Sequence, residues 1–458
     1  MAEQRTVVSV TSNGVGMGHI CRQLTVLLSG EKQFNSVILS LSGALPRVME
    51  TAANGEFPEA ADRGIGFEYA PSYKAGWHHP DGWRSKVWRK RPGYRWDHYL
   101  ADRIVALVEE TQATDLMFDG VVAYDGVVEA IKRLDGVRST WMRRGLWQAS
   151  VSGSRLKREA KFDQVIEPGD FVGEFDEGPT VGRPNIQHVA PISMTEVLNK
   201  RDRAESRVTL GLPEDGPVLL LAPGSGFAGS VDEVGRKVIA LVRELGPDWT
   251  IAVTKQSIAQ HSLDTEAEGK VVVLKDVFPL ARYLSAFDAA VGASGYNAAH
   301  EWIAEAIPTL FIPSLNHQTD DQPTRARGLA QKGVALDVMS SDLRTSVTQL
   351  MDPDVRAELV EGCKRLPRPT GGLEAANLLG DRSQTAATSP SLTRGYRKPT
   401  NPLVDLRPPA SSGLPDFEIS ESMTVADFSD STPIEHVLSG SSAEYRAKRE
   451  QAAHWLYR

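Results

Sequence analysis

The sequence predicts an α/β protein made of two doubly wound, Rossmann-like parallel-sheet domains facing a cleft, with a C-terminal extension. Three observations carry this. Short apolar runs alternate with helix-period stretches along a chain of 458 residues, which is too long for one ordinary core. The alternation pauses in a polar junction from about Ser193 to Leu212 and then restarts. A glycine-containing turn follows an early strand in each half.

In the first half, Thr6–Val10 reads as a strand, followed by a Gly-rich loop and a helix from about His19 to Leu28. Ser36–Leu41 and Asp115–Asp119 are further strands, a helix covers Val122 to Arg133, and Ser139–Met142 is a strand again. Strand, helix and strand with short loops is the pattern of a parallel sheet covered on both faces. In the second half, Pro217–Leu221 is a buried-strand run and a helix spans Val231 to Leu245. Strands at Thr250–Thr254, Val271–Leu274, Ala289–Val291 and Thr309–Ile312 complete that series. The expected division is 1–195 for the first domain, 206–383 for the second, 384–442 for a low-complexity tail, and 443–458 for a terminal helix with an apolar face.

Composition narrows the function classes. The chain is 41% hydrophobic and 24% charged, with a formal net charge of -8, which argues against a general nucleic-acid binder while leaving local basic patches open. Its cysteines, Cys21 and Cys363, stand in different halves without metal-ligand spacing, so neither a disulfide scaffold nor structural zinc is expected. No apolar run approaches the roughly 20 residues of a membrane span, and the first residues lack a signal peptide's apolar centre. A cytoplasmic protein is expected. Asp352-Pro353-Asp354 imitates a metal-binding string but stands where a helix cap belongs, and no metal is expected.

Several segments carry chemistry. Gly14-x-Gly16-x-Gly18-His19 lets backbone approach a ligand closely, and His19 at a helix start can take a proton or contact a phosphate. The spacing is not the dinucleotide fingerprint, and no acidic residue ends the second strand, which removes support for a nicotinamide cofactor. Asp119 ends a strand, where doubly wound sheets hold their ligands, and is a second candidate for a base. In the second half, Gly224-Ser225-Gly226 offers amides and a hydroxyl to a diphosphate. The turn at Ser294-Gly295 opens a helix that carries Asn297 and Glu301; the helix mouth suits phosphate and the carboxylate suits ribose hydroxyls. Arg143 and Arg144, beside aromatic residues, suit a carboxylate or phosphate on a second substrate. A stretch from Trp77 to Lys90-Arg91, continuing through Trp96, mixes tryptophan with Lys and Arg. It fits a membrane interface, an anionic lipid-linked acceptor, a sugar platform or single-stranded nucleic acid, or else a long insertion whose aromatics pack on their own domain.

The region from about Ser206 to Val338 resembles the C-terminal domain of family 28 glycosyltransferases, enzymes of the GT-B fold represented by the lipid II-forming N-acetylglucosaminyltransferase. Three passages carry the resemblance: Leu210 through Gly226, Ala293 through Pro313, and Asn316-His317-Gln318-Thr319-Asp320-Asp321-Gln322. The resemblance implies that Glu301 binds the ribose of a uridine nucleotide and that Ser294 and Gly295 meet its phosphates. It also implies that Asp321 and Gln322 take sugar hydroxyls, and that backbone at Val277 and Phe278 recognises the base. The Gly14 to His19 loop resembles the family's Gly-rich loop facing the reaction centre. Where the family has a His-Glu-Gln-Asn segment, this chain reads Trp141-Met142-Arg143-Arg144, which puts that family's acceptor in doubt.

The expected function is metal-independent, inverting transfer of a sugar from a nucleotide donor, a UDP-sugar by the resemblance, to an acceptor hydroxyl. No cofactor is expected beyond that co-substrate, and the acceptor is expected to be anionic or lipid-linked, with peripheral contact at the inner face of the membrane. A UDP-sugar hydrolase is the nearest alternative, because such enzymes resemble this fold and carry a Gly-x-Gly-His-x-x-Arg loop, here ending in Arg22. A UDP-sugar 2-epimerase would isomerise the donor sugar. A non-catalytic nucleotide-sugar or nucleic-acid binding protein would bind without turnover.

Overall fold

The computed structural model describes residues 5–12, 17–30, 34–72, 92–224, 231–256, 263, 269–315, 317 and 319–381. Gly14, Gly16, Ser225 and Gly226 lie outside the described residues, as do segment 73–91 with most of the tryptophan-rich stretch, the 384–442 tail and the 443–458 helix.

Long runs of buried apolar residues force parallel strands to be covered on both faces. The first sheet orders its strands β3-β2-β1-β4-β5-β6-β7, all parallel. These are β1 Arg5–Thr11, β2 Phe34–Ser40, β3 Gly66–Tyr69, β4 Asp115–Asp119, β5 Arg138–Met142, β6 Gln164–Pro168 and β7 Gln187–Val189. The second sheet runs β10-β9-β8-β11-β12-β13, again parallel. Its strands are β8 Val218–Ala222, β9 Thr250–Lys255, β10 Val271–Lys275, β11 Ala289–Gly292, β12 Thr309–Phe311 and β13 Leu336–Asp337. The helices of the first lobe are α1 Gly18–Ser29, α2 Leu45–Ala53, α3 Pro58–Asp62, α4 Pro92–Thr111 and α5 Asp125–Arg133. After them come α6 Arg203–Leu210, α7 Val231–Leu245, α8 Tyr296–Ala304, α9 Gln322–Gln331, α10 Leu343–Met351, α11 Pro353–Lys364 and α12 Gly371–Gly380.

Side chains alternate between faces along each strand, and the cores follow that period. Val8, Val10, Leu116 and Phe118 pack under α4 and α5 in a core belonging to the first lobe. Leu219, Leu221, Ile251 and Val253 do the same under α7 and α10 in the second. The opposite faces, with Val7 and Met117 from one sheet and Leu220 and Ala290 from the other, enter a single shared core. Ile20 and Leu24 of α1 meet Ala299, Trp302 and Ile303 of α8 there. Each fully buried Val, Leu, Ile or Phe contributes about 1.5–3 kcal/mol, so the lobes are joined by apolar contact as well as by chain.

Two features depart from expectation. The polar junction contains α6, which starts at the side-chain cap Asp202 and stops at Gly211 in the left-handed conformation, φ 64°. The last described helix, α12, falls within 206–383 but packs on α1 of the first lobe. Arg5 Nη1 donates to Gly380 O at 2.9 Å, and Glu374 accepts the Ala190 amide at 2.8 Å. Trp96, the end of the basic aromatic stretch, is a core residue whose Nε1 donates to Pro71 O at 2.8 Å. Asp352 caps α11 by accepting the Asp354 amide at 2.8 Å. No described helix is long and apolar enough to cross a membrane.

Candidate active site between the two lobes

Strand order reverses between β1 and β4 in the first sheet and between β8 and β11 in the second. Doubly wound sheets open a crevice at that reversal, beyond the carboxyl ends of the strands. In the first lobe the register pairs Thr11 with Asp119, and α1 begins a few residues after β1. His19 Nδ1 therefore lies 2.8 Å from Asp119 Oδ1. Arg22, one turn further along α1, donates from Nε to Asp119 Oδ2 at 2.8 Å and from Nη2 to Oδ1. Burial alone would raise the Asp119 pKa, but the Arg22 charge and the His19 contact outweigh it and hold it below the ordinary carboxylate value. An ionised carboxylate only accepts, and its 2.8 Å contact with His19 Nδ1 is shorter than the 3.1 Å contact of Nδ1 with the Arg22 Nη2 donor, which favours the proton on Nδ1 and leaves Nε2 as the basic nitrogen. Burial lowers the His19 pKa, Asp119 opposes that shift, and the Arg22 and Arg144 charges add to it. The imidazole, 19% exposed, is thus neutral at neutral pH.

In the second lobe Gly224 follows β8 in the left-handed region, φ 59°, where a side chain is strained. Ser294 and Gly295 follow β11 and open α8. The first bond to close α8 runs from the Ala299 amide to Gly295 O, and no side chain caps the turn before it. That helix mouth is the partial positive end of a dipole, and its first-turn amides have no hydrogen-bond partner among the described residues. Glu301 lies on the same helix face as Asn297 and has no hydrogen-bond or ion-pair partner among the described residues. Burial, with Glu305 adding repulsion, pushes its pKa up to about 8. Asn297 Nδ2 donates to Gly18 O at 3.4 Å, so the starts of α1 and α8 adjoin. His19 and Glu301 therefore belong to one interlobe region.

Other predicted residues are engaged differently. Arg143 is fully buried, and the structure engages it in ion pairs with Glu159 Oε1, at 2.6 Å, and Glu167. Arg144 crosses to the second lobe and pairs with Asp320 at 2.7 Å. The Ser294 hydroxyl donates to Gln322 O at 2.9 Å, which leaves only backbone for a phosphate. Gln322 is buried, accepts the Ser314 amide at 2.9 Å and donates to Asp320 at 3.2 Å. Asp321 caps α9 through the Thr324 amide at 3.1 Å. The Phe278 ring meets Phe57 of the first lobe edge-on at 5.6 Å, and Phe278 and Pro279 form a turn between β10 and the segment that follows.

Sequence reading missed the groups that lock the lobes together. Tyr296, the first residue of α8, donates its hydroxyl to Gly169 O at 2.9 Å and accepts the Ile192 amide at 3.0 Å. Arg325 joins Asp170 of the first lobe to Asp320 of the second, at 2.8 and 2.9 Å. His300 Nε2 accepts the Phe171 amide at 3.2 Å. The Gln148 amide donates to Thr319 O at 2.8 Å and the Asp321 amide to Leu146 O at 3.0 Å, a strand-like clasp across the lobes. Arg22, named in the sequence only as the end of a Gly-x-Gly-His-x-x-Arg loop, shares one face of α1 with His19. Among the described residues no group of three or more His, Cys, Asp or Glu side chains is gathered as for a metal ion.

The chain is similar to known glycosyltransferases. A 258-residue match, 24% identical and covering 54% of this chain, is made with UDP-N-acetylglucosamine–N-acetylmuramyl-(pentapeptide) pyrophosphoryl-undecaprenol N-acetylglucosamine transferase of Leuconostoc citreum. That match spans 64% of the relative's length, less than two thirds of it. Among solved structures, the calicheamicin glycosyltransferase CalG4 superposes with a TM-score of 0.53 at 13% identity, covering 85% of this chain and 100% of that one. The MurG of Acinetobacter baumannii superposes with a TM-score of 0.50 at 14% identity, covering 82% and 99%. No protein-family model matches the chain. The resemblance read from the sequence is borne out by these relatives, and the architecture is the two-domain α/β arrangement of the GT-B fold.

Proposed function

We propose that this chain is an inverting glycosyltransferase that moves a sugar from a UDP donor to an acceptor hydroxyl without a metal ion. One observation carries the reading: a neutral, carboxylate-oriented imidazole in one lobe shares an interlobe region with a helix mouth and a carboxylate in the other that have no side-chain cap or partner among the described residues. In this reading the diphosphate sits at the start of α8, where first-turn amides and the helix dipole offset its charge, and Gly224 lets backbone approach it. Glu301 accepts from both ribose hydroxyls, and the backbone of Val277 and Phe278 meets the base. His19 Nε2 takes the acceptor proton as the oxygen attacks the anomeric carbon from the side opposite the leaving UDP, so one displacement inverts that centre. Asp119 stays ionised and stabilises the imidazolium that forms. The shared core and the interlobe clasp exclude water and so favour transfer over hydrolysis. The acceptor in this proposal is anionic or lipid-linked, met by the basic tryptophan stretch at a membrane surface.

A thermal-shift panel of UDP-, GDP-, dTDP- and CDP-sugars, run with and without EDTA, tests the donor. The proposal expects stabilisation by the UDP compounds alone, unchanged by chelation. Stabilisation by another nucleotide would replace the donor base, and full-rate sugar release without any acceptor would replace transfer by hydrolysis.

A further inference from the structure

Arg22 is the link between the first lobe's acid–base pair and the second lobe's donor helix. Its side chain is 3% exposed, both Asp119 oxygens are held by its fork, and its Nη2 also lies 3.1 Å from His19 Nδ1, farther than the 2.8 Å from that nitrogen to Asp119 Oδ1. On its other side the guanidinium carbon lies 5.4 Å from the ring centre of Tyr296, the residue that opens α8. The charged and titratable groups facing this assembly are His19 and Arg22 from α1, Asp119 from β4, Arg144 from the loop after β5, Tyr296 from α8 and Asp320 from the loop before α9. Arg22, Asp119 and neutral His19 together carry no net charge. Adding a proton to that buried trio creates a net positive charge, which burial penalises. Without Arg22, the same proton would neutralise a bare carboxylate and be welcomed.

We propose that Arg22 is a positioning residue: it fixes the Asp119 carboxylate so that His19 keeps its proton on Nδ1 and its lone pair on Nε2. The Tyr296 ring seats the guanidinium for that task, so the base is set when the two lobes are docked. A lysine cannot substitute, because a point charge does not hold two carboxylate oxygens in one plane.

The kinetic part of the test rests on the proposed transferase activity; the titration does not. Full-length protein labelled at histidine is titrated by NMR, with the His19 signal identified by its loss in His19→Gln. Arg22→Gln is expected to move the His19 midpoint to higher pH than in the wild type. Arg22→Lys keeps the charge and is expected to leave the midpoint near the wild-type position while lowering kcat by about tenfold with donor KM unchanged. An unmoved midpoint in a folded Arg22→Gln variant overturns the proposal. Should that variant not fold, an Arg22→Lys enzyme with wild-type kcat overturns it instead. A shifted midpoint with no sugar transfer supports the positioning role while ending the transferase reading. An unmoved midpoint with transfer intact does the reverse.

Discussion

Neighbouring residues can have opposite fates, as Arg143 and Arg144 show. Successive side chains in an extended segment point to opposite sides, so only one of the pair can reach the interlobe space. Arg143 turns inward to Glu159 and Glu167, and Arg144 turns outward to Asp320. The two arginines and the strand before them were legible; the partners, distant in sequence, were not. Ser294 is similar, since the carbonyl that takes its hydroxyl belongs to Gln322 on another element. Glu301 was legible as a ribose candidate because a carboxylate on a helix with a small-residue start needs no distant partner to be noticed. Its lack of a partner among the described residues gives a pH prediction. Ribose hydroxyls donate to an ionised carboxylate, and the free protein holds the Glu301 proton up to about pH 8. Donor affinity therefore rises with pH below that point, approaching about tenfold per unit, and levels off above it. Calorimetric titration of UDP from about pH 6 to 9 checks this, with Glu301→Gln expected to bind more weakly and to lose the dependence.

Elements followed the sequence wherever both faces are buried. β1 and β8 were readable because Val7, Val8 and Val10, and Val218 through Leu221, leave no exposed side to disguise the run. The short helix α6 was not, because its polar sequence forms a helix through the Asp202 cap, the Gly211 stop and the anchoring of Arg207 to backbone oxygens. The α9 helix shows the same economy of local signals. Asp321 was expected at a sugar and is observed capping that helix. Asp321→Ala should cost about 1 kcal/mol in urea unfolding, while Asp321→Asn should cost little, since an asparagine still caps. If the carboxylate also meets the sugar, the Asn variant will keep its stability and raise the donor KM.

The whole molecule is two sheets whose strand reversals face each other across a shared core, tied by ion pairs, a clasp and a returning helix. Beyond the clasp, Arg282 of the second lobe meets Glu59 of the first at 2.6 Å, and Arg47 reaches Asp276 O at 2.8 Å. α12 matters at this scale because it covers α1, the helix that carries His19 and Arg22. Ending the chain after Pro369 should expose the buried α1 face, with faster hydrogen exchange at α1 amides and a lower melting temperature, while α7 and α10 keep their protection. Equal protection in α1 would show that α12 is not part of the first lobe's stability.

The most direct measurement is a crystal structure with UDP bound. The account predicts diphosphate oxygens against the first-turn amides of α8, both ribose hydroxyls within hydrogen-bond distance of Glu301, and an open path from the β-phosphate to His19 Nε2. A nucleotide bound elsewhere, or one walled off from His19, would contradict it.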